Sequence, residues 1–130
     1  MIQIELYVDG VEAPARLLTE VFGFEEIENR PGWRNVEYKG LYQIMLYDPR
    51  RNEEHKAEDF MPAHDGKAGQ GMQMVISVAD AKAIRPAVLQ QGYNCGDLHD
   101  TAWNTLEFIF SLAEGYVIRV KQWKNRIAKE

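Results

Sequence analysis

Cysteine is almost absent from this chain. Cys95 stands alone, so no disulfide can form within the chain, and a free thiol fits a reducing compartment. Long apolar runs are missing too: no stretch nears the ~18 apolar residues that a membrane helix requires. Met1 leads straight into Ile2-Gln3-Ile4-Glu5-Leu6 without a basic and apolar leader pattern. A cytoplasmic protein with no membrane partner is therefore expected. Positive charge is in short supply, with 15 Lys and Arg against 20 Asp and Glu and a net charge of −5. That balance argues against nucleic acid as a partner, since phosphate backbones are held by concentrated positive charge. Histidine is scarce. His55 and His64 lie in a polar stretch, at a spacing without ligand logic, and His99 is expected in a turn after Asp97-Leu98. A phosphate-binding glycine loop, a Ser-His-Asp order and a Cys-x-x-Cys pair are all absent.

What remains is an ordinary globular composition, 45% hydrophobic and 27% charged over 130 residues, enough for one domain with its own core. The charge is uneven. Residues 1–65 hold seven basic and fourteen acidic side chains, and residues 66–130 hold eight and six. The first half should mildly attract cations.

Residues 2–8 alternate with period two, the mark of a half-buried strand. Pro14 suits a helix's first turn, and Leu17, Leu18, Val21 and Phe22 recur at helical spacing until Gly23 stops them. Strands are expected over 24–28, 33–38 and 41–47, with Asn29-Arg30-Pro31-Gly32 as a turn. Residues 49–71 form a polar, then glycine-rich linker in which Phe60 and Met61 could fold back as a lid or tether the segment to the surface. The pattern then restarts. Met72 to Val78 alternates, a helix carries Ile84, Ala87 and Val88, and Gly92-Tyr93 repeats Gly23-Phe24. Pro86 requires that helix to begin late, near Lys82 or Ala83. Residues 106–112 and 116–123 complete the strands, and Trp123, Lys124, Arg126 and Lys129 make a basic tail. Val8 and Val78 lie 70 residues apart and Gly23 and Gly92 lie 69 apart, so a βαβββ unit occurs twice. The expected organisation is a single domain with module one over about 1–48, module two over about 72–124 and a tail over 125–130.

Each strand presents an apolar and a mixed face. Ile2, Ile4, Leu6 and Val8 oppose Gln3, Glu5 and Tyr7; Ile44 and Leu46 oppose Gln43, Met45 and Tyr47. Met74, Ile76 and Val78 oppose Gln73, Val75 and Ser77; Ile118 and Val120 oppose Val117, Arg119 and Lys121. The apolar faces must pack on the helices. The mixed faces are either a wet outer surface or the lining of a ligand cleft, and composition does not choose between them.

Leu6-Tyr7-Val8-Asp9, the helix ending Thr19-Glu20-Val21-Phe22-Gly23-Phe24, and the closing Glu114-Gly115-Tyr116-Val117-Ile118-Arg119-Val120 together resemble the vicinal oxygen chelate superfamily. That superfamily contains glyoxalases, extradiol dioxygenases and bleomycin-resistance proteins. The resemblance spans nearly the whole chain and implies an α+β fold. In it, two tandem βαβββ modules form a curved, cup-like mixed sheet with helices on the outer face. It also implies that the mixed faces line a cup for a small organic molecule, and that catalytic members hold a divalent metal there. Carried over, the metal positions fall on Gln3, Met45, Gln73 and Arg119. Glutamine ligates weakly, methionine does not suit a hard cation, and a guanidinium has no lone pair to give. No metal and no other cofactor is therefore expected, with a divalent ion as the alternative if the strand register is off by one.

Arg119 and Glu5 would both face the cup, where they could pair. Alternatively Arg119 could clamp a ligand carboxylate, and Glu5 could attract a cation or act as a general base. The stretch Thr101-Ala102-Trp103-Asn104-Thr105-Leu106-Glu107-Phe108 resembles the segment before the last hairpin of bleomycin-resistance proteins. Trp103, Trp33 and Tyr47 are candidate aromatic walls, or core. Cys95 could be a nucleophile only with a depressed pKa and an oriented base. The resulting expectation is a metal-free, homodimeric binder of a small aromatic or cationic drug or toxin, of the antibiotic-resistance kind. Its rivals are a metal-dependent lyase or dioxygenase of the glyoxalase superfamily and a protein-interaction module.

Overall fold

The structure is a computed structural model that describes residues 1–51 and 68–124. The expectations for His55, Phe60, Met61, His64, Arg126 and Lys129 lie outside the described residues. The chain divides into two compact units, Met1–Ala68 and Gly69–Glu130.

The first unit runs β1 (Ile2–Tyr7), α1 (Glu12–Glu20), β2 (Glu25–Arg30), β3 (Trp33–Tyr38) and β4 (Tyr42–Tyr47). Its sheet has the order β1-β4-β3-β2, with β1 and β4 parallel and the other pairs antiparallel. The second unit runs β5 (Gln73–Ser77), α2 (Ala81–Gln90), β6 (His99–Asp100), β7 (Thr105–Ser111) and β8 (Val117–Trp123). Its order is β5-β8-β7-β6, again with only the first pair parallel. Each unit is thus βαβββ with the same connectivity, an α+β fold of two mixed four-stranded sheets, neither of which closes into a barrel.

One helix covers one face of each sheet: α1 lies on β2 and β3, and α2 lies on β7 and β8. The helices form where the apolar spacing demands it. Leu17 and Leu18 of α1 are buried with Leu6, Val36, Ile44 and Leu46 of the sheet. Burying a leucine such as Leu17 contributes about 2 kcal/mol. Gly23, at φ +78°, turns the chain so that the N–H of Phe24 reaches the Leu18 carbonyl at 3.1 Å. In the second unit Val88 packs with Phe108, Phe110, Ile118 and Val120, all at most 3% exposed. At Gly69 the backbone leaves no room for a side chain. A Cβ there would lie 2.2 Å from the Tyr116 nitrogen, and the Gly69 N–H bonds the Glu114 carbonyl.

Four expectations are corrected. Helix α2 begins at Ala81, not near Lys82 or Ala83, and Pro86 stands inside it. Its start is fixed from outside. The Asp80 carboxylate accepts from the Ala83 N–H at 3.2 Å, and Gln122 Oε1 accepts from the Ala81 N–H at 2.8 Å. Residues 29 and 30 belong to β2, leaving Pro31-Gly32 as a two-residue turn with Gly32 at φ +72°. His99 lies on the edge strand β6, opposite Glu107, rather than in a turn. Trp123 is the last residue of β8, not part of a tail.

Candidate functional site

Strand alternation and pairing register fix which side chains share the face turned away from each helix. In the first unit three rows cross β1, β4 and β3: Gln3–Gln43–Glu37, Glu5–Met45–Asn35 and Tyr7–Tyr47–Trp33. The first row is tied by the Gln3 amide donating to Gln43 Oε1 at 2.7 Å. The third is aromatic: Tyr47 meets Tyr7 and Trp33 edge-on at 5.5 and 5.2 Å between ring centroids. Tyr47 has no exposed surface, so it supports Trp33 rather than offering a wall of its own. The Trp33 indole N–H and the Asn35 amide both donate to Glu28 Oε1, at 3.2 and 3.0 Å. The middle row differs. Glu5 Oε1 and Asn35 Oδ1 are buried acceptors without a hydrogen-bond partner among the described residues. Burial pushes the Glu5 carboxyl above its ordinary 4.5.

In the second unit the corresponding rows are Gln73–Val117–Ser111, Val75–Arg119–Ile109 and Ser77–Lys121–Glu107. Glu107 is 2% exposed. Its Oε2 accepts from the Thr105 hydroxyl at 2.7 Å and from the Trp103 indole N–H at 3.1 Å, while its Oε1 lies 3.6 Å from Arg119 Nη1. Burial alone would raise the Glu107 pKa. The hydrogen bonds from Thr105 and Trp103, with the charges of Arg119 and Lys121, outweigh it and hold the carboxyl below 4.5. The loop carrying Trp103 is itself fixed. The Thr101 and Thr105 hydroxyls are 2.6 Å apart, and Asn104, at φ +67°, donates its side-chain amide to the Lys124 carbonyl. Trp103 is nevertheless 56% exposed, so of the two alternatives for it, wall or core, core packing is excluded. It is an exposed aromatic plate anchored by its ring nitrogen to a buried carboxylate.

Arg119 takes Glu107, on the adjacent strand β7 of its own sheet, as its ionic partner. Arg119 Nε is buried without a hydrogen-bond partner among the described residues. Cys95 is half-buried, and burial pushes its thiol above 9.0 against the nearby Arg85 charge, the opposite of the depressed pKa that a nucleophile needs. Gln3 and Met45 are diagonal neighbours on the first face, as are Gln73 and Arg119 on the second. A side-chain amide already engaged with Gln43, a thioether and a guanidinium do not form the donor set of a hard divalent ion. Among the described residues no group of three or more His, Cys, Asp and Glu side chains comes together to hold one.

Sequence reasoning missed three residues. Asn35 and Glu107 each stand at an alternate position of a strand, which was the available signal. Asp48 is fully buried where β4 ends, accepting from the N–H groups of Gly10 and Arg50 at 3.0 and 3.1 Å and pairing with the Arg50 guanidinium. Burial opposes its ionisation, and these Arg50 and Gly10 contacts more than offset that, holding its pKa below 3.8. Its work is structural, closing the loop before α1.

The fold is that of the glyoxalase, bleomycin resistance and dioxygenase proteins, as the sequence resemblance implied. A glyoxalase/bleomycin resistance protein/dioxygenase family enzyme from Burkholderia phytofirmans PsJN matches 94% of this chain and 97% of its own, with a TM-score of 0.74 and 17% identity. TnmS3, an antibiotic binding protein from Streptomyces sp. CB03234, matches over 94% and 93% with a TM-score of 0.65 and 20% identity. A lactoylglutathione lyase from Agrobacterium tumefaciens matches over 94% and 92% with a TM-score of 0.63 and 18% identity. No family model and no curated protein matches the sequence. Among the described residues no helix is long and apolar enough to cross a membrane.

Proposed function

We propose that this chain is a metal-free, cytoplasmic binding protein for a small aromatic or cationic molecule such as a drug or toxin, acting as a homodimer. One observation carries the reading. Among the described residues, the buried side-chain polar atoms without a partner are Glu5 Oε1, Asn35 Oδ1 and Arg119 Nε, and all three belong to the sheet faces opposite the helices. Buried polar groups in folded proteins are paired, so each exception calls for a physical account, and a ligand that completes the set is one such account. Glu5 and Asn35 flank Met45 in one row, so two acceptors ask for a donor-rich group above an apolar floor. The exposed and anchored Trp103 supports an aromatic guest, since a plate held in place loses little entropy on stacking. The antibiotic-binding function of TnmS3, on the same fold, adds support.

The test is a thermal-shift screen of the full chain against planar aromatic and cationic antibiotics. A ligand at a hundred times its Kd stabilises the folded state by about 2.7 kcal/mol, a rise in Tm of about 10 °C for a chain of this size. Trp103→Ala should remove the shift while the protein stays folded. No rise with any member of the panel would refute the reading. Gel filtration tests the homodimer, for which a monomer is the refuting result.

A second reading is an enzyme of the glyoxalase-superfamily type, favoured by Glu5: a buried carboxyl with a raised pKa suits a general base. Metal analysis of protein purified without chelator separates the two, because a stoichiometric zinc, iron or manganese would favour the enzyme.

A further inference from the structure

We infer that the sheet face of the second unit selects an organic oxyanion, a carboxylate or phenolate on an apolar body, seated on the Nε edge of Arg119. This rests on the reading that these faces bind ligands, and it adds the ligand's chemical class. A guanidinium offers five donors and no acceptor, so the unpartnered Nε–H of Arg119 can be satisfied only by an acceptor. Glu107 does not supply it. Its Oε2 is taken by Thr105 and Trp103, and its Oε1 meets Nη1, not Nε, at 3.6 Å, too long for a hydrogen bond.

The charges agree. Across two rows, the cations Arg119 and Lys121 face the single carboxylate of Glu107, so an excess of positive charge remains on the face. It sits among apolar surface. Val75 and Ile109 flank Arg119 in its own row and are 41% and 45% exposed, and the Lys121 ammonium lies 4.7 Å from the centre of the Trp123 ring. A charge in such surroundings is poorly hydrated, which strengthens its pull on an anion and favours an anion with an apolar body over a mineral one. The Arg119 side chain is 30% exposed although its Nε is buried, so an oxyanion meets the exposed part of the guanidinium first and must displace what covers Nε to satisfy it. The acceptors of the first unit ask for the opposite chemistry, so the two faces are distinguishable by ligand sign.

The experiment compares benzoate, benzylammonium and benzyl alcohol, three probes with one ring and different heads, on 15N-labelled full chain. Arginine Nε–H resonances and Trp103 fluorescence are read together, the latter as the signal absent from Trp103→Phe. The expected result is a saturable benzoate-dependent shift of one arginine Nε–H resonance. That resonance should be missing in Arg119→Lys and Arg119→Gln, with benzoate binding at least tenfold more tightly than the other two probes. In the lysine variant, which keeps the charge, benzoate should weaken at least fivefold. Equal binding of all three probes, or benzoate binding unchanged in Arg119→Lys, would overturn the anion inference and leave the ligand-face reading standing. A benzoate-shifted resonance that survives in Arg119→Gln would overturn it too, by locating the anion elsewhere. Silence of both signals with all three probes would sink the inference and its premise together.

Discussion

Glu107→Gln removes a charge while leaving its surroundings in place. The glutamine Oε can still accept from Thr105 and Trp103, but the amide end now turns toward the Arg119 guanidinium, a donor against a donor. Breaking a buried pair by removing one partner costs about 3–5 kcal/mol. Here the guanidinium is 30% exposed and the contact is 3.6 Å, so a smaller loss applies, about 2 kcal/mol at neutral pH. For a domain of this size that lowers Tm by about 6–10 °C. The pH dependence is the sharper test. The folded-state pKa of Glu107 lies below its ordinary 4.5. The unfolded chain therefore takes up the proton first, and the stability that Glu107 contributes is present above pH 4.5 and disappears as pH falls toward the folded value. Asp48, also depressed, titrates in the same range, but it is common to wild type and variant and cancels in the difference. Urea unfolding of both proteins between pH 3 and 7 should give a gap of about 2 kcal/mol that closes below pH 4.5. A gap of constant size across that range would refute the assignment of Glu107 as a paired, ionised carboxylate.

Glu5→Gln should act with the opposite sign. The folded-state pKa of Glu5 is raised, so its contribution is complete below pH 4.5 and is lost as pH rises. The variant should then melt higher than wild type at pH 7 and equally at pH 4, and a lower melting point at pH 7 would contradict the burial argument. Asp48→Asn weakens a fully buried acceptor serving two backbone N–H groups and Arg50, with an expected loss of about 2 kcal/mol in urea titration; an unchanged midpoint would argue against it. Gly69→Ala forces a Cβ against the Tyr116 backbone and should cost at least about 3 kcal/mol, or prevent folding, as read by circular dichroism. Leu17→Ala opens the core under α1 for about 2–5 kcal/mol, and a loss below 1 would show the site to be poorly packed.

The strands β1, β4, β5 and β8 were legible because apolar side chains recur at every second position over five to seven residues, and which side chains share a face then followed from that period. The duplication was legible because Gly23-Phe24 and Gly92-Tyr93 mark the same helix exit twice. Strand β6 was not. Two residues cannot display a period, and His99 and Asp100 are strand only because β7 pairs with them. The start of α2 was misread because Pro86 was weighed alone, whereas Asp80 and the distant Gln122 hold the first turn. Glu107 as the partner of Arg119 was not legible for a related reason. Periodicity tells which face a side chain occupies but not its neighbours, and the diagonal from Arg119 to Glu107 exists only once β7 and β8 are set in register.

That register also explains how one topology can carry two chemistries. Glu5 and Val75 are equivalent by the 70-residue repeat, and pairing carries the equivalence to Met45 and Arg119, then to Asn35 and Ile109. In the first unit the middle row is polar at its flanks and apolar at its centre; in the second it is apolar at its flanks and cationic at its centre. The faces against the helices show no such inversion: Leu6, Ile44 and Leu46 answer to Ile76, Ile118 and Val120. The apolar set is what each helix needs to stay docked, so it is constrained by stability in both units. The opposite face docks no helix, and its middle row differs in sign between the two units. Burying Glu5 and Arg119 atoms without partners among the described residues is a cost that packing does not offset, and it is the feature that supports the proposed ligand faces.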